Sequence, residues 1–454
     1  MKKVYIVGIE GAGTSALARL YKARGYEVVG SDEGDGFYRS TLEAENVTVF
    51  DTFDSARIAD WDGIVVHSTA YDKDHREIVE AHKQGLTVLS YPEALGAITR
   101  EYYSIAVCGT HGKTTTTGML AHTFLGGGRD VSALIGAPVI GWEGGSRCGA
   151  GKEFVFEADE YQNKLQHYHP QAAILTSIDY DHPDFFKDFD AYKKVFIDFI
   201  ERIPQTGFLV AAHDDWDVLK AVTDNVTCKV ITYGEHVDAD ARLQERTYDA
   251  DGTQEITFSY KDAEQKIKTQ LPGKHNALNA LAAWVMGDVI IGNASACTEG
   301  LSEYAGVKRR FEKRGMYKGA QMIDDYAHHP EEVRTALATV REVFADKRII
   351  AAFHPHSHSR TYALLEEFAR ALDIADEVII LDIYAVDREN AADFPVTPED
   401  LVDAINQGVT EKAQHIATYE DLAQHIKESA TEGAVIITLG AGDIHKAHDR
   451  VLKG

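Results

Sequence analysis

Residues 105–120, IAVCGTHGKTTTTGML, hold the densest group of residues able to do chemistry. The apolar run Ile105-Ala106-Val107 leads into Gly109-Thr110-His111-Gly112-Lys113-Thr114-Thr115, and a helix-compatible stretch follows. Strand, glycine loop, Lys-Thr and helix start is the layout of a loop that cradles phosphate. The glycines let backbone N–H groups turn inward, Lys113 meets the β- and γ-phosphates, and the Thr114 hydroxyl holds Mg²⁺. Only two residues separate Gly109 from Gly112, fewer than in the general phosphate-loop pattern. Taken alone, the segment also reads as a Gly/Thr-rich turn capping a helix.

Two further groups belong with it. Glu157-Ala158-Asp159-Glu160 ends an apolar strand, where a parallel sheet offers its ligand-binding edge. Carboxylates so crowded repel one another without a cation, and Mg²⁺ takes such oxygens together with phosphates and waters. Asp181-His182 follows the next strand, Ala172–Ile178, and should emerge on the same edge. Near the N-terminus, Gly8-Ile9-Glu10-Gly11-Ala12-Gly13 follows a strand, and Asp32 ends the second strand. That is a Rossmann-type arrangement, with a diphosphate at the helix N-terminus and an acid on a ribose. The glycine order is GxxGxG, which argues against a nicotinamide cofactor and leaves a nucleotide diphosphate; a tight strand–helix turn is the plain alternative.

The elements that must position these groups alternate strand and helix. Strands are expected at 4–7, 26–30, 63–67 and 87–91, with helices at 12–24 and 74–84, which predicts a parallel, doubly wound sheet. Further strands are expected at 131–135, 153–158, 172–178 and 207–212, and helices near 190–202 and 275–291. Residues 229–271 alternate like short antiparallel strands, with turn signals at 249–252, and Gly126-Gly127-Gly128 reads as a surface turn. QMIDDY, RIIAAF, EVIILDIY and AVIITLG repeat the rhythm after a charged hinge, Lys308-Arg309-Arg310. The fold class is therefore α/β in three domains: Rossmann-like over 1–100, a P-loop-type ATPase domain over 101–306, and Rossmann-like again over 307–454.

The composition narrows the partners. At 454 residues and 44% hydrophobic, the chain is long enough for several cores. A formal charge of −26 argues against nucleic acid and anionic membrane surfaces, both polyanions. Cys108, Cys148, Cys228 and Cys297 have no paired spacing, so reduced thiols in a cytoplasmic protein are expected. Lys2-Lys3 precedes too short an apolar run for a signal peptide, and no stretch approaches 18 apolar residues.

GTHGKTTTT, EADE, the DH after a strand, GKHNALN (273–279), GVKRRFE (306–312), DDYAHHP (324–330) and LGAGD (439–443) occur in this order. Together they resemble the Mur ligase family, ATP-dependent amide-bond formers of peptidoglycan precursor synthesis. DDYAHHP with HPHSHSRT (354–361), DHPDFF (181–186) and DIYAVDREN (382–390) resemble its L-alanine-adding branch. The resemblance implies UDP-N-acetylmuramate, ATP and L-alanine as substrates, Mg²⁺ as cofactor, and a monomer or homodimer. It implies catalytic roles for Lys113, Glu157, His182 and Arg309, with Thr114, Glu157 and His182 on the metal. ATP is expected on Gly109, Thr110, His111, Gly112, Lys113, Thr114, Thr115, Asn276, Asn279, Arg309 and Asp325. The UDP-sugar is expected on Gly8, Gly11, Gly13, Thr14, Ser31, Asp32 and Ser68, and the amino acid against Tyr326, His328 and Arg360. In the resemblance Arg309 reaches the ATP phosphates as the third domain closes. The five histidines 328, 329, 354, 356 and 358 lack the carboxylate context of a catalytic zinc.

The departures are Ser177 where the family commonly has Asn, Ser357 where many alanine-adding members have Arg, and Glu10 and Thr14 in the first glycine loop. Ser357 keeps open a relative that attaches a murein tripeptide to the same nucleotide sugar. A dinucleotide-dependent oxidoreductase leaves Lys113 and Glu157 unexplained, and a non-catalytic nucleotide-binding protein would not need to retain Lys113, Glu157, His182 and Arg309 together.

Overall fold

The structure, a computed structural model, describes every residue except 1, 34, 35, 37, 183, 184, 250, 251, 385–388, 390, 408–410 and 454. The motifs at 181–186 and 382–390 and the turn at 249–252 therefore lie partly outside the described residues.

β-branched runs separated by amphipathic helices build three sheets, so the α/β class and its three sheet-bearing parts stand. In the first, Lys3–Val7, Glu27–Ser31, Thr48–Phe50, Ile64–His67 and Val88–Ser90 are parallel in the order 3-2-1-4-5. The turn Gly8–Gly13 lies where the order reverses, the place such sheets bind ligands. Tyr91 does not finish a strand. It opens the helix Tyr91–Thr99, whose Ser90/Glu93 capping box and Pro92 are start signals the alternation of apolar residues hid.

Ten strands make the second sheet: Tyr103–Cys108, Ser132–Leu134, Ser146–Arg147, Glu153–Glu157, Ala172–Leu175, Phe208–Ala212, Lys229–Gly234, Ala241–Tyr248, Gln254–Tyr260 and Ala263–Thr269. Their order is 10-9-8-7-6-5-1-4-2-3. The central strand Tyr103–Cys108 is parallel to both Glu153–Glu157 and Ala172–Leu175, with Val107 beside Glu157 and Cys108 beside Leu175. Three chain segments thus leave the sheet side by side at one edge. The strand expected to reach Ile178 stops at Leu175, because Thr176 and Ser177 bond instead to the phosphate loop. Lys113–Gly126 forms the helix after that loop, packed on Lys274–Ile291 and Ala294–Ser302. Gly118 lets the buried Tyr304 ring lie flat on this helix: a Cβ there would stand 2.3 Å from the Tyr304 hydroxyl. Gly126 is the last residue of the helix and lies against Gly300 rather than in a surface turn.

Residues up to Val307, apart from 250–252 and 271–273, form one compact unit holding both of these sheets. The second unit runs from Lys308 onward and takes in those six residues. Its strands Glu312–Tyr317, Ala320–Asp325, Arg348–Phe353, Glu377–Ile380, Ala413–His415 and Ala434–Leu439 lie in the order 1-2-6-3-4-5, only the first pair antiparallel. Lys318-Gly319, both at positive φ, make the tight turn of that hairpin. Strand formation directly after the hinge was not expected.

Two buried histidines make this unit acid-sensitive. His448 is fully buried with neither ring nitrogen bonded among the described residues, and burial pushes its pKa down to about 4. His354 is likewise pushed down to about 4, by burial and then by His356. Each is a base whose folded pKa lies below its unfolded one. The unfolded chain takes up protons that the folded chain refuses, and stability falls as pH drops from about 6.5 towards 4. Urea titrations at about pH 7 and about pH 5 should differ by roughly 2 kcal/mol per histidine, and His448→Gln should remove its own share.

Candidate active site

The phosphate loop takes its shape from two positive-φ glycines, Gly109 at φ 128° and Gly112 at φ 78°. A Cβ on Gly109 would stand 2.2 Å from Thr176 Oγ1, so the loop is pressed onto the neighbouring strand end. Ser177 holds it there: its carbonyl accepts Thr110 N–H at 3.0 Å and its hydroxyl accepts His111 N–H at 3.1 Å. The altered residue at 177 therefore still makes polar contact with the loop. Lys113 folds back over it, donating to the carbonyls of Gly109 at 2.7 Å and Thr110 at 3.0 Å, and pairing with Glu160 at 3.0 Å. Burial lowers the Lys113 pKa, but Glu160 foremost, then Glu157 and Asp159, outweigh it and hold the ammonium above the ordinary lysine value.

Glu157 accepts from the Thr114 hydroxyl at 3.0 Å and from Gly136 N–H at 2.7 Å. Burial raises its pKa, against the opposing pull of Lys113 and these two donors. A carboxylate and a hydroxyl oxygen this close are the hard donors Mg²⁺ takes, with substrate phosphates and waters completing the shell. The pair fits a magnesium ion. His182 sits differently. Its backbone is left-handed at φ 56°, its ring packs 4.6 Å from that of Tyr161, and its Nε2 is 3.8 Å from Glu160 and 3.7 Å from Asp181. Among the described residues no group of three or more His, Cys, Asp or Glu could hold a metal. If Glu157 is a magnesium ligand, Glu157→Gln should shift half-saturating Mg²⁺ upward by about tenfold while changing ATP affinity less. An unmoved half-saturation point in a magnesium titration would make the carboxylate structural.

His111 is exposed, 3.4 Å from Asp179. Asn276 and Asn279, one turn apart, are both buried and 3.5 Å from one another, and a Cβ on Gly112 would stand 2.6 Å from Asn279 Oδ1. The asparagines thus border the loop. No described polar contact involves the side chain of Thr115.

In the first sheet, Thr14 Oγ1 donates to Gly8 O at 2.6 Å, and Asp32 accepts Glu10 N–H at 2.8 Å and Tyr71 O–H at 3.2 Å. Asp32 thereby pins the turn as well as facing it. Glu10 points away to an ion pair with Arg39, which keeps its charge off the diphosphate loop. Ser31 is fully buried and donates to Glu77, whereas Ser68 lies at the turn, its N–H bonded to Val7 O. Gly11 and Gly13 flank the start of the helix Ala12–Ala23.

In the second unit, Tyr326, His328 and Arg360 come together around His356. Ring centroids lie 5.3 Å apart for Tyr326–His328 and 5.9 Å for His328–His356. Burial lowers the pKa of both histidines, and Arg360 adds to the lowering. Arg360 Nη1 is buried without a partner among the described residues, a donor suited to an anionic group. Asp325 accepts Phe311 N–H at 2.7 Å and Ala327 N–H at 2.9 Å, and burial pushes it up to about 6.

Arg309 is no free side chain on a linker. Its Nε donates to Asp324, which is 0% exposed, at 3.1 Å, and its terminal nitrogens donate to the carbonyls of Gly440 and Ala441. The LGAGD segment is thus, in part, a carbonyl clamp for Arg309. Arg310 makes no hydrogen bond or ion pair with a described residue; its guanidinium lies 5.5 Å from the Tyr326 ring, opposite duties for two adjacent arginines. Glu160, with no role of its own assigned from the sequence, and Tyr192, not named from it at all, join the site. The repeated acid of EADE pointed to Glu160, while nothing local marked Tyr192.

Comparison with known proteins agrees along the chain. Residues 3–103, 107–287 and 309–442 match, in turn, "Mur ligase family, catalytic domain", "Mur ligase middle domain" and "Mur ligase, glutamate ligase domain". The chain is 36% identical over 446 residues to a UDP-N-acetylmuramate–L-alanine ligase of Desulfitobacterium hafniense, covering 98% of each. It is 33% identical over 454 residues to that of Caldanaerobacter subterraneus, covering 100% of this chain and 97% of the other. The solved UDP-N-acetylmuramate-alanine ligase of Thermotoga maritima is similar with TM-score 0.83 at 26% identity, covering 100% of this chain and 99% of that one. A murein peptide ligase of Psychrobacter arcticus, also 26% identical, reaches 0.68 over 100% and 98%. The chain belongs to the Mur ligase family.

Proposed function

We propose that this chain is an ATP-dependent ligase that joins L-alanine to the carboxyl group of UDP-N-acetylmuramate, a cytoplasmic step in making peptidoglycan precursors. The observation that carries the reading is full-length similarity to ligases of that name, on a chain whose phosphate loop, Glu157–Thr114 pair and Arg310 match the chemistry. At equal identity, the alanine ligase fold is also the better structural match than the murein peptide ligase.

In this reading a carboxylate oxygen of UDP-N-acetylmuramate attacks the γ-phosphorus of ATP, and the bond to the ADP oxygen breaks. The alanine amine then attacks the acyl carbon, a C–N bond forms, the amine gives up a proton, and phosphate leaves with the former carboxylate oxygen. Both steps gather negative oxygens, so positioning and fixed positive charge carry the catalysis. Lys113 supplies charge at the transferring phosphoryl group. Thr114 and Glu157 would hold Mg²⁺, which neutralises phosphate charge when bound. The phosphate-directed role is given to Arg310 rather than Arg309, because its guanidinium makes no hydrogen bond or ion pair with a described residue and only lies over the Tyr326 ring and near Asp325. Arg360 is suited to a carboxylate, with Tyr326 and His328 walling the amino-acid pocket. Residues 8–14, Asp32 and Ser68 receive the UDP-sugar.

Phosphate release with UDP-N-acetylmuramate and ATP tests the assignment. Stimulation by L-alanine, and none by the tripeptide L-alanyl-γ-D-glutamyl-meso-diaminopimelate, is expected. Stimulation by the tripeptide alone would move the chain to the recycling reaction.

A further inference from the structure

Tyr192 lies outside every motif of the chain, on the helix Phe189–Ile200. Its ring is fully buried and meets Phe186, Phe196 and Tyr180 edge-on, at centroid separations of 5.1, 5.2 and 6.1 Å. Phenylalanine would fill that space equally well. What distinguishes tyrosine is its hydroxyl, 3.1 Å from Glu160 Oε1 and 2.7 Å from Thr110 Oγ1. We propose that Tyr192 is a positioning residue for the phosphate loop: its hydroxyl fixes the Glu160 carboxylate, and Glu160 fixes the Lys113 ammonium. The inference rests on the reading of Lys113 as the phosphate-contacting cation.

The accounting of protons gives the chain a direction. An ionised carboxylate only accepts, so the single Tyr192 proton goes to Glu160. Thr110 accepts Asp179 N–H at 2.9 Å and has its own proton to give, to Tyr192 or to the Asp179 carbonyl at 2.9 Å. The Tyr192 and Thr110 hydroxyls together therefore tie three segments leaving adjacent strands: the phosphate loop, the end of EADE and the turn before His182. Lys113 has three N–H groups, and the carbonyls of Gly109 and Thr110 take two of them. The third goes to Glu160, so the ammonium is placed only as well as that carboxylate is placed. Glu160 is 1% exposed, and apart from Lys113 and Tyr192 its nearest recorded partner is His182 Nε2, at 3.8 Å. That is beyond a hydrogen bond. Without the phenol hydroxyl, Glu160 Oε1 keeps, among the described residues, only the longer hydrogen bond from Lys113, at 3.3 Å, and the carboxylate is free to rotate and carry Lys113 out of register with the loop.

The test uses the full chain with Tyr192→Phe, Glu160→Gln, the double variant and Lys113→Ala. Melting temperature, kcat, and KM for ATP and UDP-N-acetylmuramate are measured for each. Tyr192→Phe should stay folded with a melting temperature lowered by no more than about 5 °C, keep KM for UDP-N-acetylmuramate, and lose about tenfold in kcat, as expected for a lost hydrogen bond to a charged group. Because Tyr192 acts through Glu160, the double variant should be no worse than Glu160→Gln alone. Wild-type kcat in Tyr192→Phe, or losses that multiply in the double variant, would overturn the inference and leave Tyr192 a packing residue. Lys113→Ala separates the two levels. Normal turnover in Lys113→Ala removes the reading of the loop itself, whereas an inactive Lys113→Ala beside a normal Tyr192→Phe removes only the inference.

Discussion

Lys113→Ala is expected to lower ligation by at least ~10³-fold, the scale of removing one preorganised charge from a transition state. The loop should keep its shape, since Gly109, Gly112 and the bonds from Ser177 determine it. Stability is a separate matter. Glu160 is 1% exposed and Lys113 14% exposed, so removing the lysine strands a buried carboxylate, at a cost of about 3 kcal/mol. A loss of activity accompanied by a lower melting temperature would then be ambiguous. The variant that resolves it is Lys113→Ala with Glu160→Gln, which removes both charges together. It should recover much of the stability and none of the activity. Near-wild-type phosphate release from that folded double variant would refute the phosphate-loop assignment.

The second large effect divides two adjacent arginines. Arg310→Ala should cost on the order of 10³-fold in turnover with a smaller loss of stability than Arg309→Ala, because its guanidinium makes no hydrogen bond or ion pair with a described residue and offsets the burial of Asp325 and Glu332 only through space. Arg309→Ala should do the reverse first. Asp324 would be left fully buried with, among the described residues, only the Thr438 hydroxyl, at 2.6 Å, as a side-chain hydrogen-bond partner, and stability should fall by about 3 kcal/mol. Arg310→Lys keeps charge but gives up the planar fork that grips two phosphate oxygens, so it should rescue only part of the activity. Urea unfolding and steady-state rates on the three variants decide the matter. A stable, inactive Arg309→Ala beside an active Arg310→Ala would return the phosphate role to Arg309.

Why the two arginines differ in their surroundings is a question of backbone. Arg309 and Phe311 both have positive φ, 63° and 48°, so the usual alternation of side chains is broken across the hinge. That twist turns Arg309 onto Asp324 and the Gly440–Ala441 carbonyls, none of which is near it in sequence. The strand, loop and helix around Gly109–Thr115 were legible because their signals are local: strand, glycines, lysine and threonine are contiguous. The EADE edge was legible because parallel strands present their carboxyl ends together. Tyr192 was not, since on its helix it is one more buried aromatic and only the tertiary fold brings its hydroxyl to Glu160. Asp32 and Asp325 show a related limit. Each is expected at a nucleotide, and each also accepts backbone N–H groups that hold its own turn. A motif marks that an acid is needed there, but not how much of the need is architectural.

The proposed reaction requires that the γ-phosphoryl group pass to the carboxylate of UDP-N-acetylmuramate before alanine attacks. UDP-N-acetylmuramate labelled with ¹⁸O in its carboxyl group, incubated with ATP, L-alanine and the full-length protein, tests this in one mass spectrum of the released phosphate. The prediction is one labelled oxygen in every phosphate, matched by its loss from the ligated product. Unlabelled phosphate, or release of pyrophosphate with AMP, would contradict it.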